Sequence, residues 1–109
     1  MSKGRRTTVT LEVAPFYYQG EDAYFGITHK VAGALTDATA VPTVTVVDHV
    51  GTALFTDQDS SKDSTGTYHY ECVIPAAAVC GTMKVQVSST YDSITQPSEI
   101  AVSEIREAL

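Results

Sequence analysis

Apolar side chains recur at every second residue in several separate stretches of this chain, and few folds accommodate that period. In segment 22–31, Ala23, Phe25 and Ile27 share one parity and alternate with mostly polar side chains. A β-strand turns successive side chains to opposite faces, so the alternation predicts a strand with one buried and one solvated face. Segment 80–89 repeats the pattern, which indicates several strands around a shared core.

Turn signals at intervals of roughly 8–12 residues separate about seven such segments. No segment has the long helical period that a βαβ unit needs. We therefore expect an all-β fold, a single immunoglobulin-like antiparallel β-sandwich of about seven strands. The predicted strands are 7–14, 22–31, 42–48, 52–56, 66–75, 80–89 and 93–104, with Pro97 at an edge or a bulge.

The length of 109 residues suits one domain and is too short for two separate cores. We divide the chain into a basic arm over residues 1–6, the sandwich over 7–103 and a tail over 104–109. The tail is expected to form a frayed helical turn. Segment 57–66 is polar and ends in glycine, which predicts a solvent loop. Pro75 is expected to begin one helical turn over residues 75–79.

Charge is distributed unevenly along the chain. Lys3, Arg5 and Arg6 supply three of the seven basic residues, so the rest carries four positive against 13 negative side chains, a net of −9. Such a body repels phosphate backbones, and we expect no nucleic-acid binding. The arm is either a solvated terminus or a docking arm for an acidic neighbour.

No apolar run approaches the roughly 20 residues that span a bilayer, so we expect no membrane contact. The first residues also lack the apolar core of a secretory signal, which predicts folding in the cytoplasm. Cys72 and Cys80 are therefore expected to remain free thiols.

Three histidines are candidates for a zinc site because three imidazoles can hold that ion. His29, His49 and His69 show no H-x-H or H-x-x-x-H spacing. His29 has the parity of the buried residues of its strand, His69 has the opposite parity, and His49 lies in a predicted turn. We interpret all three as isolated surface or rim residues and expect no metal.

Asp57, Asp59 and Asp63 form the densest group of carboxylates. A calcium-binding EF-hand loop that began at Asp57 would need glycine at its sixth position and glutamate at its twelfth. Lys62 and Tyr68 stand there instead. We therefore interpret the group as part of a solvated loop.

Catalytic motifs are missing from the sequence. It has no G-x-S-x-G nucleophile turn and no glycine-rich phosphate loop. Cys80 has no neighbouring histidine, and a site built from His29, Asp57 and Cys80 could form only through the fold. We expect no enzymatic activity, no catalytic residue and no cofactor.

Tyrosines are plentiful in a chain that has no tryptophan. Tyr68 and Tyr70 share the buried parity of their strand and are expected in the core. Tyr17, Tyr18 and Tyr24 cluster around the first connection, and Tyr24 has outward parity. Exposed tyrosines are enriched at protein interfaces, so these three predict a contact surface. The alternative, tyrosines that cover a sheet edge, is equally consistent with the pattern.

The order of motifs along most of the chain resembles immunoglobulin-like domains of tailed-phage virion proteins, such as baseplate, neck and tail proteins. The chain resembles the second domain of α-macroglobulins less closely. The motifs that carry these resemblances are QGEDAYFGITHKVAGALT, DATAVPTVTVVDHVG, STGTYHYECVIP, GTMKVQV and EIAV.

The phage resemblance implies a non-enzymatic structural protein of a tailed virus particle, in the neck, the tail or the capsid decoration. Such proteins assemble in the host cytoplasm and contact other virion proteins, as homo-oligomers or on a symmetric scaffold. Lys3, Arg5, Arg6, Tyr17, Tyr18 and Tyr24 are then the expected interface. The alternative function is a binding or adhesion module for a surface protein or a carbohydrate, in which the three tyrosines contact the ligand.

Overall fold

The computed structural model describes residues 7–92, 94–95 and 99–109. Within these ranges every regular element is a β-strand, and no helix is long and apolar enough to cross a membrane. The strands are β1 (Thr7–Glu12), β2 (Tyr17–Tyr18), β3 (Asp22–Val31), β4 (Ala34–Leu35), β5 (Thr43–Val47), β6 (Ala53–Asp59), β7 (Ser61–Ser64), β8 (Thr67–Val73), β9 (Gly81–Ser88), β10 (Thr90–Tyr91), β11 (Ile94–Thr95) and β12 (Glu99–Arg106).

Two five-stranded sheets pack face to face. The first sheet has the order β1-β3-β8-β7, and β4 also pairs with β3, while the second sheet has the order β2-β12-β9-β5-β6. Strands β10 and β11 form a separate hairpin. Among the described strands, every pairing is antiparallel except the short parallel contact between β12 and β2. The predicted immunoglobulin-like sandwich is confirmed, and seven of the described strands have five or more residues.

The core lies between the inner faces of the two sheets, where the alternation places it. Phe25 and Ile27 of β3 face Met83 and Val85 of β9, and all four side chains are essentially inaccessible to solvent. Burying a side chain of this size stabilises the fold by roughly 1.5–3 kcal/mol. These strands therefore contribute a large part of the apolar core of the domain.

The solvent loop predicted over residues 57–66 is wrong. Strand β6 continues to Asp59, and β7 follows after a single residue, Ser60. Ser60 is buried, and both its main-chain N–H and its hydroxyl donate to the main-chain oxygen of Pro42, at 3.0 and 2.6 Å. At this point the chain crosses from the second sheet to the first, so its polar residues belong to edge strands.

The helical turn predicted over residues 75–79 is also wrong. The main-chain N–H of Ala78 donates to Pro75 over 3.0 Å, which closes one tight turn, and Ala78 is buried. At the other end of the chain, β12 continues to Arg106, beyond the predicted end of the last strand at residue 104 and of the sandwich at residue 103. Residues 104–106 are therefore strand and not part of a helical turn. Pro97 lies outside the described residues.

Candidate functional site

Tyr17 lies in the core and not on a contact surface. Its side chain is 4% exposed, and its ring packs edge-to-face on Phe25 with a centroid distance of 5.7 Å. The hydroxyl accepts a hydrogen bond from the main-chain N–H of Ala14 (2.9 Å) and donates to the main-chain oxygen of Tyr24 (3.3 Å). Burial raises the pKa of this phenol. Tyr17 is therefore a structural residue.

Tyr18 covers the edge of the second sheet. Its half-buried ring meets Phe16 edge-to-face at 5.4 Å. The guanidinium of Arg106 lies 3.7 Å from the centroid of the Phe16 ring and also pairs with Glu104 at 2.7 Å. This group joins β2 to the last strand, so the sheet-edge interpretation fits Tyr18 better than a free contact surface does.

Tyr24 is the predicted interface tyrosine whose ring is largely in solvent, with 55% exposure on the outer face of the first sheet. The ring stacks on His69 with a centroid distance of 5.0 Å and an interplanar angle of 10°. His69 is held from both sides, because Nδ1 lies 2.7 Å from Asp63 and Nε2 lies 3.3 Å from Glu71. The three tyrosines thus occupy three different environments.

Beside Tyr24 the outer face of the first sheet has an open groove of about 380 Å³. Its floor is at Gly26, which has no side chain and lies in register between Glu12 of β1 and His69 of β8. We call this feature the Gly26 groove. It is lined by Glu12, Val13, Tyr24, Gly26, Ile27, Thr28, Thr67 and Tyr68.

The surroundings of the Gly26 groove are acidic. The carboxylates of Glu12, Asp22, Asp63 and Glu71 belong to the outer face of the first sheet, and Lys30 is the one basic residue on the same face of β3. Partial desolvation and the nearby carboxylates of Asp63 and Glu71 raise the pKa of Tyr24. This face therefore favours a cationic partner over an anionic one.

The second sheet presents a different outer face. Ile100 and Val102 of β12 are 49% and 62% exposed. Val102 lies in register with Lys84, which in turn lies in register with Val47 of β5. We call the group Val47, Ala53, Lys84, Ile100 and Val102 the β12 face. The sequence hid this face, because segment 99–105 has apolar residues at both parities.

His29 is buried within the sandwich, so its interpretation as a surface or rim residue is wrong. Its Nδ1 atom lies 2.5 Å from the main-chain oxygen of Thr36. His69 is on the outer face of the first sheet, and exposed His49 packs against Gly81. In the described part of the chain, no group of three or more His, Cys, Asp or Glu residues is arranged to hold a metal ion.

The residues considered for catalysis have separate structural partners. His29 bonds to Thr36 in the interior, whereas Asp57 is exposed on β6, where its main-chain N–H donates to the hydroxyl of Thr45. Cys80 is exposed, Cys72 is half-buried, and both are free thiols. Lys3, Arg5 and Arg6 lie outside the described residues.

No protein-family model matches this chain, and no curated protein matches it. Among solved structures, the crystal structure of the Lin-41 filamin domain is similar, with a TM-score of 0.63 and 9% sequence identity. The similarity covers 92% of this chain and 91% of that domain. At this identity the likeness establishes the immunoglobulin-like fold and not the tailed-virus role.

Proposed function

We propose that this protein acts through protein–protein contacts and not through catalysis, as a structural component of a tailed virus particle. The observation that carries the proposal is the exposure of Ile100 and Val102 on the β12 face, at 49% and 62%. Adjacent aliphatic side chains on a sheet face remain in water unless another surface covers them. The domain thus has a face suited to a neighbour.

The β12 face has the composition of a modest interface. Its aliphatic centre is flanked by the polar side chains of Thr45, Thr82 and Gln86 on neighbouring strands. An apolar centre inside a polar rim is typical of protein contacts. Fully burying one Val or Ile side chain stabilises by roughly 1.5–3 kcal/mol, so two half-exposed ones support only a weak single contact. Many copies of this contact in a symmetric assembly would together bind much more strongly than one contact does.

The tailed-virus part of the proposal rests on the sequence motifs that resemble virion domains. A small sandwich with an apolar outer face fits a neck, tail or capsid-decoration protein, which contacts further copies of itself and other virion proteins. Assembly would take place in the host cytoplasm. The net charge of −9 outside the arm argues against a role on packaged nucleic acid.

Sedimentation velocity and light scattering on the pure chain test the contact function. We expect association that increases with concentration and persists in about 1 M NaCl, because apolar contacts are not screened by salt. The variant Ile100→Thr/Val102→Thr should weaken association by at least about 10-fold. Val73→Thr is the matched control, because Val73 is 53% exposed and lies on β8 of the other sheet. A wild-type monomer at every concentration overturns the proposal.

Purified particles test the tailed-virus role. An antibody against the chain should label the particles at one symmetric position in negative-stain micrographs. Genes for portal, capsid or tail proteins should adjoin the gene of this chain. Particles that lack the chain, or a neighbourhood of secretion genes, would contradict the role while leaving the contact function intact.

The Gly26 groove favours the second candidate function, a module that binds a surface protein or a carbohydrate. An exposed Tyr24 ring beside the hydroxyls of Thr28 and Thr67 offers the stacking surface and hydrogen bonds that a sugar uses. Glycan-array binding that disappears in Tyr24→Ala would support it. Array binding that Tyr24→Ala leaves unchanged, or none at all, would count against it.

A further inference from the structure

Gly26 leaves the floor of the groove open because it has no side chain, and the fold does not require a glycine at this position. A Cβ atom added at Gly26 would meet only the Cβ of Glu12, at the ordinary contact distance of 3.8 Å. Gly26 is also absent from the residues with positive φ. Glycine inside a strand weakens the strand and often marks a place where a ligand or another chain approaches closely.

One wall of the groove is an aromatic ring held in position. Tyr24 is stacked on His69, and His69 is fixed between the carboxylates of Asp63 and Glu71. The ring is still 55% exposed. A preorganised tyrosine among carboxylates binds guanidinium and ammonium groups through cation–π and ionic contacts.

The opposite wall supplies a carboxylate that is free to pair. Within residues 7–92, 94–95 and 99–109, no lysine or arginine forms an ion pair with Glu12, whereas Lys62 and Arg106 pair with Asp37 and Glu104. The groove thus combines an open floor, an aromatic wall and an uncompensated negative charge.

The chain itself contains a segment of the complementary charge. Lys3, Arg5 and Arg6 precede β1 directly, and they are three of the seven basic residues in the sequence. The arm leaves the first sheet at Thr7, which lies in register with Val31, whereas Glu12 at the other end of β1 lies in register with Gly26. Five residue steps along the strand separate the two ends, a distance of about 17 Å.

Reach decides which copy the arm can contact. Each residue spans at most about 3.6 Å, so the Cα atom of Arg5 can lie no farther than about 7 Å from that of Thr7. Folded back along its own β1, the arm can approach the Thr28 end of the groove, because Thr28 lies in register with Thr10. Tyr24 lies beyond Glu12 along β3 and stays out of reach of Arg5 and Arg6 of the same copy. An arm that places Arg5 or Arg6 on Tyr24 must come from another molecule.

We propose that the Gly26 groove is the docking site for the basic arm of a second copy of this chain. Arg5 or Arg6 stacks on Tyr24, and the other arm cations pair with Glu12, Asp63 and Glu71. The inference rests on the proposed contact function and names the partner. Each such contact is weak and screened by salt, so docking strengthens only where copies are concentrated or already joined by another face.

A complementation experiment on full-length chains tests this arrangement. A donor carries an intact arm with a blocked groove, through Glu12→Gln, Tyr24→Ser and Gly26→Gln. A receiver carries an intact groove with the arm neutralised by Lys3→Gln, Arg5→Gln and Arg6→Gln. Both also carry Ile100→Thr and Val102→Thr, so that the β12 face does not contribute.

Sedimentation velocity at about 50 mM NaCl should find donor alone and receiver alone to be monomeric, while their mixture forms a one-to-one complex. The complex should weaken by at least about 10-fold at about 0.5 M NaCl. Thr8→Gln, on the same face of β1 but toward Lys30, is the receiver control and should leave the complex unchanged. Circular dichroism on every variant should retain the strand spectrum of the wild type.

The inference is overturned if the mixture forms no complex. It is also overturned if a receiver that carries Gly26→Gln forms the complex equally well. The proposed contact function survives that outcome if wild-type association still depends on Ile100 and Val102. A wild-type chain that is monomeric under all conditions overturns both. A groove that binds a neutral glycan but not the arm would favour the adhesion module and overturn the inference.

Discussion

The Nδ1 atom of His29 lies 2.5 Å from the main-chain oxygen of Thr36, inside the sandwich. A carbonyl oxygen only accepts, so Nδ1 carries the hydrogen. The main chain of His29 is held as well, because its N–H donates to Gly66 (2.7 Å) and its oxygen accepts from Thr36 (3.1 Å). The imidazole therefore ties the chain just after β4 to strand β3.

Replacing His29 should destabilise the domain without affecting contact function. We expect His29→Ala to lower the free energy of unfolding by about 2–4 kcal/mol, because it leaves a cavity and removes the donor to Thr36. Urea denaturation followed by circular dichroism measures the change. His49→Ala, at an exposed turn position, should cost less than about 1 kcal/mol. Equal losses in the two variants would contradict the structural role of His29.

Gly66 should tolerate no side chain. Its φ is 69°, and a Cβ atom there would lie 2.6 Å from the main-chain oxygen of His29 and 2.8 Å from the nitrogen of Thr36. We expect Gly66→Ala to destabilise by at least about 3 kcal/mol or to prevent folding, because main-chain atoms cannot move aside cheaply. Gly33→Ala is the matched control: its φ is 82° with no atom within 4 Å, so only the backbone penalty of roughly 1–2 kcal/mol applies. Thermal unfolding compares the two.

Features that depend on the residue pattern of one strand were predictable, whereas features that depend on which strands pair with one another were not. Phe25 and Met83 face inward because alternation along one strand determines the side of each residue. Residues 57–64 show no alternation of burial, because β6 and β7 are edge strands held by main-chain bonds to β5 and β8. Composition alone made that segment resemble a loop.

In the candidate site, too, the pattern within one strand was predictable and the pairing between strands was not. Tyr17, Tyr18 and Tyr24 are close in sequence, but one lies in the core, one at a sheet edge and one on the outer face of the first sheet. The row Glu12–Gly26–His69 depends on the register of three strands, which local sequence does not specify. Outward parity identified Tyr24, and the register of β1 and β8 was needed to find its neighbours.

The two free cysteines should differ strongly in reactivity. Burial raises the pKa of Cys72 to about 11, whereas Cys80 is exposed. At pH 8 only about one Cys72 in 1,000 is then a thiolate, so iodoacetamide should modify Cys80 first. In Cys80→Ser, alkylation of Cys72 should be about 100-fold slower in the folded protein than in urea, as measured by mass spectrometry. Equal rates in both states would contradict the burial.

Acid should weaken the contact that holds Gly66 in place. A hydrogen bond from Lys62 (2.6 Å) and one from the main-chain N–H of Gly66 (2.8 Å) lower the pKa of Asp37 below its ordinary value of 3.8. Because the pKa of Asp37 is lower in the folded than in the unfolded chain, ionised Asp37 stabilises the fold at pH values above its unfolded pKa. This stabilisation is lost as the pH falls through the folded pKa. The stability gap between wild type and Asp37→Asn should therefore narrow from about pH 5 to about pH 2. Asp59→Asn serves as the exposed control, and a constant gap would contradict the assignment.

Replacing Tyr17 and Tyr24 by phenylalanine should distinguish a hydroxyl that stabilises the fold from one that lies on the surface. The hydroxyl of Tyr17 is the acceptor for the main-chain N–H of Ala14, so Tyr17→Phe leaves a partly buried donor unpaired and should cost about 1–3 kcal/mol. Tyr24→Phe removes a hydroxyl from an exposed ring and should change stability by less than about 0.5 kcal/mol. Chemical denaturation of both variants provides the comparison. If Tyr24→Phe proved as costly as Tyr17→Phe, the Tyr24 hydroxyl would belong to the fold, and a cation docked on its ring would have to disturb the sheet.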